Sequence, residues 1–280
     1  MIYKRIQPGI PVRDYIKEYM LVHLIFDLKD ASPVKIYPTN PEEGISFRIR
    51  GTLTAENPEL NRLERRAQTY IFGQPDGRQN YHTSHDFMLA HVRFHPGSLY
   101  RLLRIPMNEL VNQNIDAHLI MGNEIHEVED RLACAVSYDE IPKILDAYFT
   151  QKINRLYKRI EPVDRIGRLI MADPQGFNLK KTANAACLSN RQFERRFMLQ
   201  VGVTPKYFAR ICRFYQAYLL YEEQPQLGWY HIALQSGYTD YQHLAKDFKH
   251  FSGTTPTQLL LQCSNNPEER LKINTNVKGV

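Results

Sequence analysis

Six side chains in the last third of the chain are of types that read the edges of base pairs, and they fall into two sets. Arg191, Glu194 and Arg195 form one set; Tyr241, Gln242 and Lys246 form the other. Arginine grips guanine with two hydrogen bonds, glutamine does the same with adenine, and glutamate accepts from the amino group of cytosine. Around them lie groups suited to phosphate: Lys180, Lys181, Arg196, Lys206, Arg210 and Lys249, with the hydroxyls Ser189 and Thr239 where helix starts would present free amides. A charge on a helix surface ordinarily serves only to keep that face in water. The setting of these residues therefore has to decide the matter.

Both sets lie in two copies of one pattern, about fifty residues apart. In the first copy Ala183, Ala186, Leu188 and Ser189 lead through Phe193 and Phe197 to Gly202-Val203-Thr204-Pro205; in the second Ala233, Ser236, Tyr238 and Thr239 lead through Leu244 and Phe248 to Gly253-Thr254-Thr255-Pro256, with one residue inserted. Small alanines permit close helix packing, a short turn follows, and Ser189 or Thr239 is placed to cap a second helix. The apolar residues after each cap share one buried face, which leaves the opposite face to solvent or DNA. Between the copies, Pro205 to Gln224 carries Phe208, Ile211, Cys212, Tyr215, Leu219 and Leu220 at helical spacing. About twenty helical residues extend roughly 30 Å, and successive major grooves on one face of B-DNA lie about 34 Å apart. One chain is long enough to place a reading head in each groove, and because the heads differ the two half-sites would not be palindromic copies.

From about Asp164 to Gln262 the chain resembles the AraC/XylS DNA-binding domain. The resemblance is carried by Leu188-Ser189, Phe193, Phe197, Gly202 to Pro205, Arg213, Ala217, Leu219-Leu220, Ile232-Ala233, Ser236 to Asp240, Phe248-Lys249, Gly253 and Pro256. It implies transcription control, usually activation, with double-stranded DNA as the partner, RNA polymerase as a second one, and recognition helices in successive major grooves. Two positions depart from the pattern: Cys187 stands where the family often has glycine, and Leu244 where phenylalanine is usual.

A chain of 280 residues is expected to fold as two domains. The net charge of +6 adds little by itself, although the stretch from Glu161 to Gln262 holds twelve Lys or Arg against eight Asp or Glu. Cys134, Cys187, Cys212 and Cys263 form no Cys-x-x-Cys pair, which disfavours zinc ribbons and redox motifs. No apolar run reaches the roughly 18 residues that span a bilayer, so no membrane partner and a cytoplasmic location are expected. The expected layout is a sensing and dimerisation domain over 1–154, a linker over 155–163, the DNA-binding domain over 164–262 and a loose tail over 263–280.

The first hundred residues read as strands, at Tyr19 to Leu28, Ile45 to Arg50, Thr69 to Phe72 and Met88 to Phe94, punctuated by Asn40-Pro41, Pro75-Asp76-Gly77 and Pro96-Gly97. Helical periodicity starts near Glu124 and predicts two helices, whose apolar stripes serve either the domain's own core or a homodimer interface. The fold class expected is α+β and multidomain: a β-barrel with trailing helices, then an all-α double helix-turn-helix domain. Val92-Arg93-Phe94-His95-Pro96-Gly97 resembles a motif of AraC-type regulators whose N-terminal domain is cupin-like, which implies a small-molecule effector with His23, Arg93 and His95 as candidate contacts. His82, His85, His91 and His95 invite a metal, yet the histidine and glutamate spacing of a catalytic cupin is missing, so no metal and no cofactor are expected. Arg93 is either the anchor for a carboxylate ligand or a strand residue paired with a neighbouring acid. The expectation is a regulator and not an enzyme; the alternatives are a cupin-type metalloenzyme fused to a DNA-binding module and a DNA-repair alkyl acceptor, for which Cys134 lacks an activating cluster.

Overall fold

A computed structural model describes residues 2–29, 34–58, 61–156 and 162–267. Runs of β-branched and aromatic residues between turn signals give ten strands among these residues: β1 (Ile2–Ile6), β2 (Ile16–Ile25), β3 (Lys35–Tyr37), β4 (Gly44–Arg50), β5 (Leu53–Asn57), β6 (Arg62–Arg65), β7 (Thr69–Phe72), β8 (Gln79–Thr83), β9 (Asp86–Phe94) and β10 (Asn114–Asp116). All pairings are antiparallel. They form a six-stranded sheet in the order β1-β2-β9-β4-β7-β10 and a four-stranded sheet in the order β3-β8-β5-β6. The expected barrel is thus a pair of open sheets, because no pairing among the described residues joins the edges of one to the other.

The larger sheet is covered on both faces, so its central strands are apolar at nearly every position. Tyr19 and Leu21 of β2, with Ala90, Val92 and Phe94 of β9, face the helices; Met20, Val22 and Leu24, with Phe87 and Leu89, face the smaller sheet. The helices are α1 (Ser98–Leu103), α2 (Ala117–Met121), α3 (Glu124–Ala133) and α4 (Glu140–Asn154). Ile125, Val128 and Leu132 of α3 and Leu145, Phe149 and Ile153 of α4 complete the core under the sheet. The apolar faces of these two helices therefore serve the domain's own interior.

The C-terminal part is helical: α5 (Pro162–Ala172), α6 (Leu179–Ala185), α7 (Asn190–Val201), α8 (Pro205–Glu223), α9 (Gly228–Gln235), α10 (Tyr241–Ser252) and α11 (Pro256–Cys263). Of the expected linker, residues 157–161 lie outside the described residues. The expected loose tail is corrected over its first residues: Cys263 is buried, and Asn266 is buried with its side-chain oxygen accepting from the backbone N–H of Ile36 at 2.8 Å. The rest, 268–280, lies outside the described residues. No helix among the described residues is long and apolar enough to cross a membrane.

The two parts meet along a joint built from the Val92 to Gly97 motif. Gly167 of α5 sits against Pro96 so closely that a Cβ there would come within 2.5 Å of the ring. Arg101 of α1 pairs with Asp164 of α5 at 3.1 Å, both buried. Glu43 accepts from the N–H groups of Gly97 and Leu99 at 3.1 and 3.3 Å beside them. Further along, the backbone N–H of Thr39 donates to the carbonyl of Phe251 at 3.2 Å, and the Tyr207 hydroxyl donates to Asp76.

Candidate nucleic-acid interface

Helices α6 and α7 form one helix-turn-helix unit, and α9 and α10 the other. Both turns close in the same way: the N–H groups of Cys187 and Leu188 donate to Asn184 and Ala183, while those of Gly237 and Tyr238 donate to Leu234 and Ala233. This two-bond closure requires a left-handed residue at its centre. Cys187 adopts φ +55° and Gly237 φ +74°. The recognition helices then start on different caps. Ser189 accepts from the N–H of Gln192, whose side chain bonds back, completing a capping box. In the second unit Asp240 accepts from the N–H of His243 at 2.9 Å. Thr239 is therefore not the cap that the sequence suggests; its hydroxyl lies against Asp240 and His243. It is the inserted residue of the repeat, which shifts the second copy from an offset of 50 to 51 residues.

With the caps aligned, Arg191 corresponds to Gln242 and Arg195 to Lys246, while the buried Phe193 and Phe197 correspond to Leu244 and Phe248. Arg191, Arg195, Tyr241, Gln242 and Lys246 are exposed, and Glu194 is half-buried. Each unit thus presents two long polar side chains one helical turn apart on its outer face. Lys180, Lys181, Arg196, Lys206 and Lys249 are also exposed and surround those faces. Arg210 is half-buried: its guanidinium lies over the Phe251 ring with Nε 2.7 Å from Asp247 Oδ1.

Asp247 escaped the sequence reading. Its buried carboxylate also accepts from the Tyr238 hydroxyl at 3.0 Å and lies 3.6 Å from Arg213, whose guanidinium covers the Tyr238 ring. An acid aligned with the exposed Arg196 reads in sequence as one more surface charge; its burial follows from the two arginines that α8 brings to it. The connecting helix is thereby fastened to the second recognition helix, while Gln216 fastens it to the carbonyl of Met171 in α5 at 2.9 Å. Nineteen residues of α8 give a separator of roughly 28 Å.

In the N-terminal part, the three expected effector contacts do not form one site. His23 lies opposite Met88 in the sheet and Arg93 opposite Glu18, five residues away or about 17 Å along the strand. His23 bonds to Tyr138 and Asp86 at 2.7 and 3.0 Å. Arg93 is buried between Glu18 and Glu42, at 2.8 and 2.7 Å, and donates to the Tyr37 hydroxyl, which settles it as a strand residue paired with neighbouring acids. Burial, the largest single influence, raises the Glu18 and Glu42 carboxyls; Arg93, joined by Lys17 and Arg5 at Glu18 and by His91, Tyr37 and Asn40 at Glu42, holds both below the usual carboxylate range. Burial first, then Arg168, pushes His95 down to about 4, so it is neutral at physiological pH. Arg93 borders a space of about 210 Å³ with Lys17, Glu42 and Tyr215, whereas most residues of a second, more apolar cavity were not singled out in sequence. Between the sheets lies a space of about 110 Å³ walled by Leu24, Leu53, Tyr70, Phe87 and Leu89, with Arg66 among its polar groups and Pro267, beyond α11, in its lining. Such a site, assembled from residues of eight strands, leaves no local motif.

Residues 182–262 match the family described as a helix-turn-helix domain, and residues 4–116 match one described as a domain of unknown function (DUF6597). No curated protein matches the chain. Among solved structures it is similar to ToxT from Vibrio cholerae O395, with 11% identity and a TM-score of 0.48 over 90% of this chain and 99% of that one. It is also similar to the DNA-binding domain of AdpA in complex with a target DNA, with 20% identity and a TM-score of 0.32 over 38% and 95% of the two chains. A third is the AraC-like transcriptional activator CuxR, with 14% identity and a TM-score of 0.28 over 72% and 78%. The match to a helix-turn-helix domain over 182–262 thus covers the segment that holds both recognition helices, α7 and α10.

Proposed function

We propose that one chain reads an asymmetric DNA site through two successive major grooves, with α7 in one and α10 in the other, and activates transcription there by engaging RNA polymerase. The observation that carries this reading is the equivalence of Arg191 and Arg195 with Gln242 and Lys246 on outward faces separated by α8. In this reading the chain works in the cytoplasm and catalyses no reaction. A mobility-shift assay on fragments upstream of its own and neighbouring genes is the test. Arg195→Ala should cost about 1–3 kcal/mol on the specific site and spare random DNA. Lys249→Ala should weaken all DNA and lower the salt slope by about one. Equal losses on specific and random DNA for both variants would refute the sorting, and no preference for any genomic fragment would refute the reading.

The effector in this reading is a small, mostly apolar molecule held between the two sheets. Support comes from the cavity's composition and from Pro267 in its lining, which connects its wall to the end of the helical part. A homodimer would have to use surfaces other than the buried faces of α3 and α4; sedimentation of the full chain measures whether one forms.

A further inference from the structure

We infer that His118, His126 and Glu129, none of them among the histidines and acids considered from sequence as ligands, form a binding site for a divalent cation of the zinc class in the N-terminal domain. Asp116 caps α2 and accepts from the N–H of His118 at 3.0 Å, which sets that histidine on the helix's first turn. His126 and Glu129 are three residues apart on α3 and so share a face. The turn between α2 and α3 brings the faces together. Nε2 of His118 lies 3.2 Å from one oxygen of Glu129, and Nδ1 of His126 lies 3.6 Å from the other. The two rings are 4.0 Å apart, and the three donor atoms all fall within 4.8 Å of one another.

Those separations suit a metal. Tetrahedral zinc with bonds of about 2.0–2.1 Å holds neighbouring donor atoms about 3.3 Å apart, so adjustments of a few tenths of an ångström would close the shell. Two imidazoles with one carboxylate favour zinc and its first-row neighbours over calcium or magnesium, which take oxygen ligands. The carboxylate is also oriented from behind: Glu129 is buried and accepts from the Thr69 hydroxyl of β7 at 2.6 Å. Such a supporting hydrogen bond is typical of metal ligands. His126 is exposed and provides the entry side, where water can fill the remaining position. Among the described residues this is the one grouping of three such ligands; His82 and His91 are drawn instead to Glu56 and to Ser46. A cation here would pin α2 and α3 to β7, next to Asn114 of β10 on the wall of the cavity.

The test is titration of the metal-stripped full chain with Zn²⁺ by calorimetry, and with Co²⁺ for its visible absorption. The expected result is one saturable equivalent, a tetrahedral Co²⁺ spectrum and a higher melting temperature with Zn²⁺. His126→Ala removes an exposed side chain whose contacts are with His118 and Glu129 of the site itself, and it should weaken binding by at least about tenfold, as should Glu129→Gln. His82→Ala and His243→Ala should leave the affinity unchanged. The proposal is overturned if the wild type shows no saturable site, or if His126→Ala binds zinc as the wild type does.

Discussion

Cys187 holds a backbone conformation that glycine holds in the second unit. At φ +55° its Cβ crowds the chain, at a cost of about 1 kcal/mol, and nothing in its exposed surroundings offsets it. Cys187→Gly should therefore stabilise the C-terminal domain by up to that amount, reduced by the greater freedom of glycine when unfolded; urea unfolding of the full chain measures it. The departure from the family pattern at this position was visible in the sequence, and so was the outward face of α7. The cap of α10 was not. Thr239 and Asp240 are both competent caps, and only the helix geometry chooses between them. Arg93 was legible as one of two alternatives, since a strand arginine shows its charge in sequence but not which acids the neighbouring strands bring to it.

Among the elements, α8 has two tasks in the proposed reading: it separates the two recognition helices and orients the second one. The orientation rests on Asp247, whose carboxylate gathers Arg210, Arg213 and Tyr238. Asp247→Ala leaves these groups without their acceptor. Because the arginines are partly solvated, the expected loss is on the order of 2 kcal/mol, below the figure for a fully buried pair. Thermal unfolding checks this, and footprinting should show protection lost from the half-site under α10 before the one under α7. The helix ends were legible because glycine and proline mark them: Gly202 to Pro205 and Gly253 to Pro256 fall where α7 and α10 stop. The openness of the sheets was not, since alternation fixes a strand's faces but not its edge partners. The docking of Asn266 onto β3 rests on side-chain hydrogen bonds across 230 residues, so a polar stretch read as a tail.

At the scale of the whole molecule, the joint between the domains contains a buried acid that is protonated at neutral pH. Burial raises Glu43 from the ordinary 4.5 to about 8, against the two N–H groups that favour its charged form. The folded chain therefore binds a proton that the unfolded chain releases across this interval. The stability this provides is complete below about pH 4.5 and is lost as the pH rises through about 8. Melting curves from pH 5 to 9 should show a decline that Glu43→Gln flattens; an unchanged slope in the variant would place the titrating group elsewhere.

The unequal reading heads on α8 have a last consequence, for the DNA and not the protein. A palindrome looks the same from either end, but a site read as proposed, by Arg191 and Arg195 on one side and Gln242 and Lys246 on the other, has a front and a back. Turned end for end, such a site should bind with unchanged affinity and carry the N-terminal domain to the opposite side along the double helix. A reporter with the operator inverted in place should therefore keep its occupancy and lose its response, so the operator acts as an arrow as well as an address.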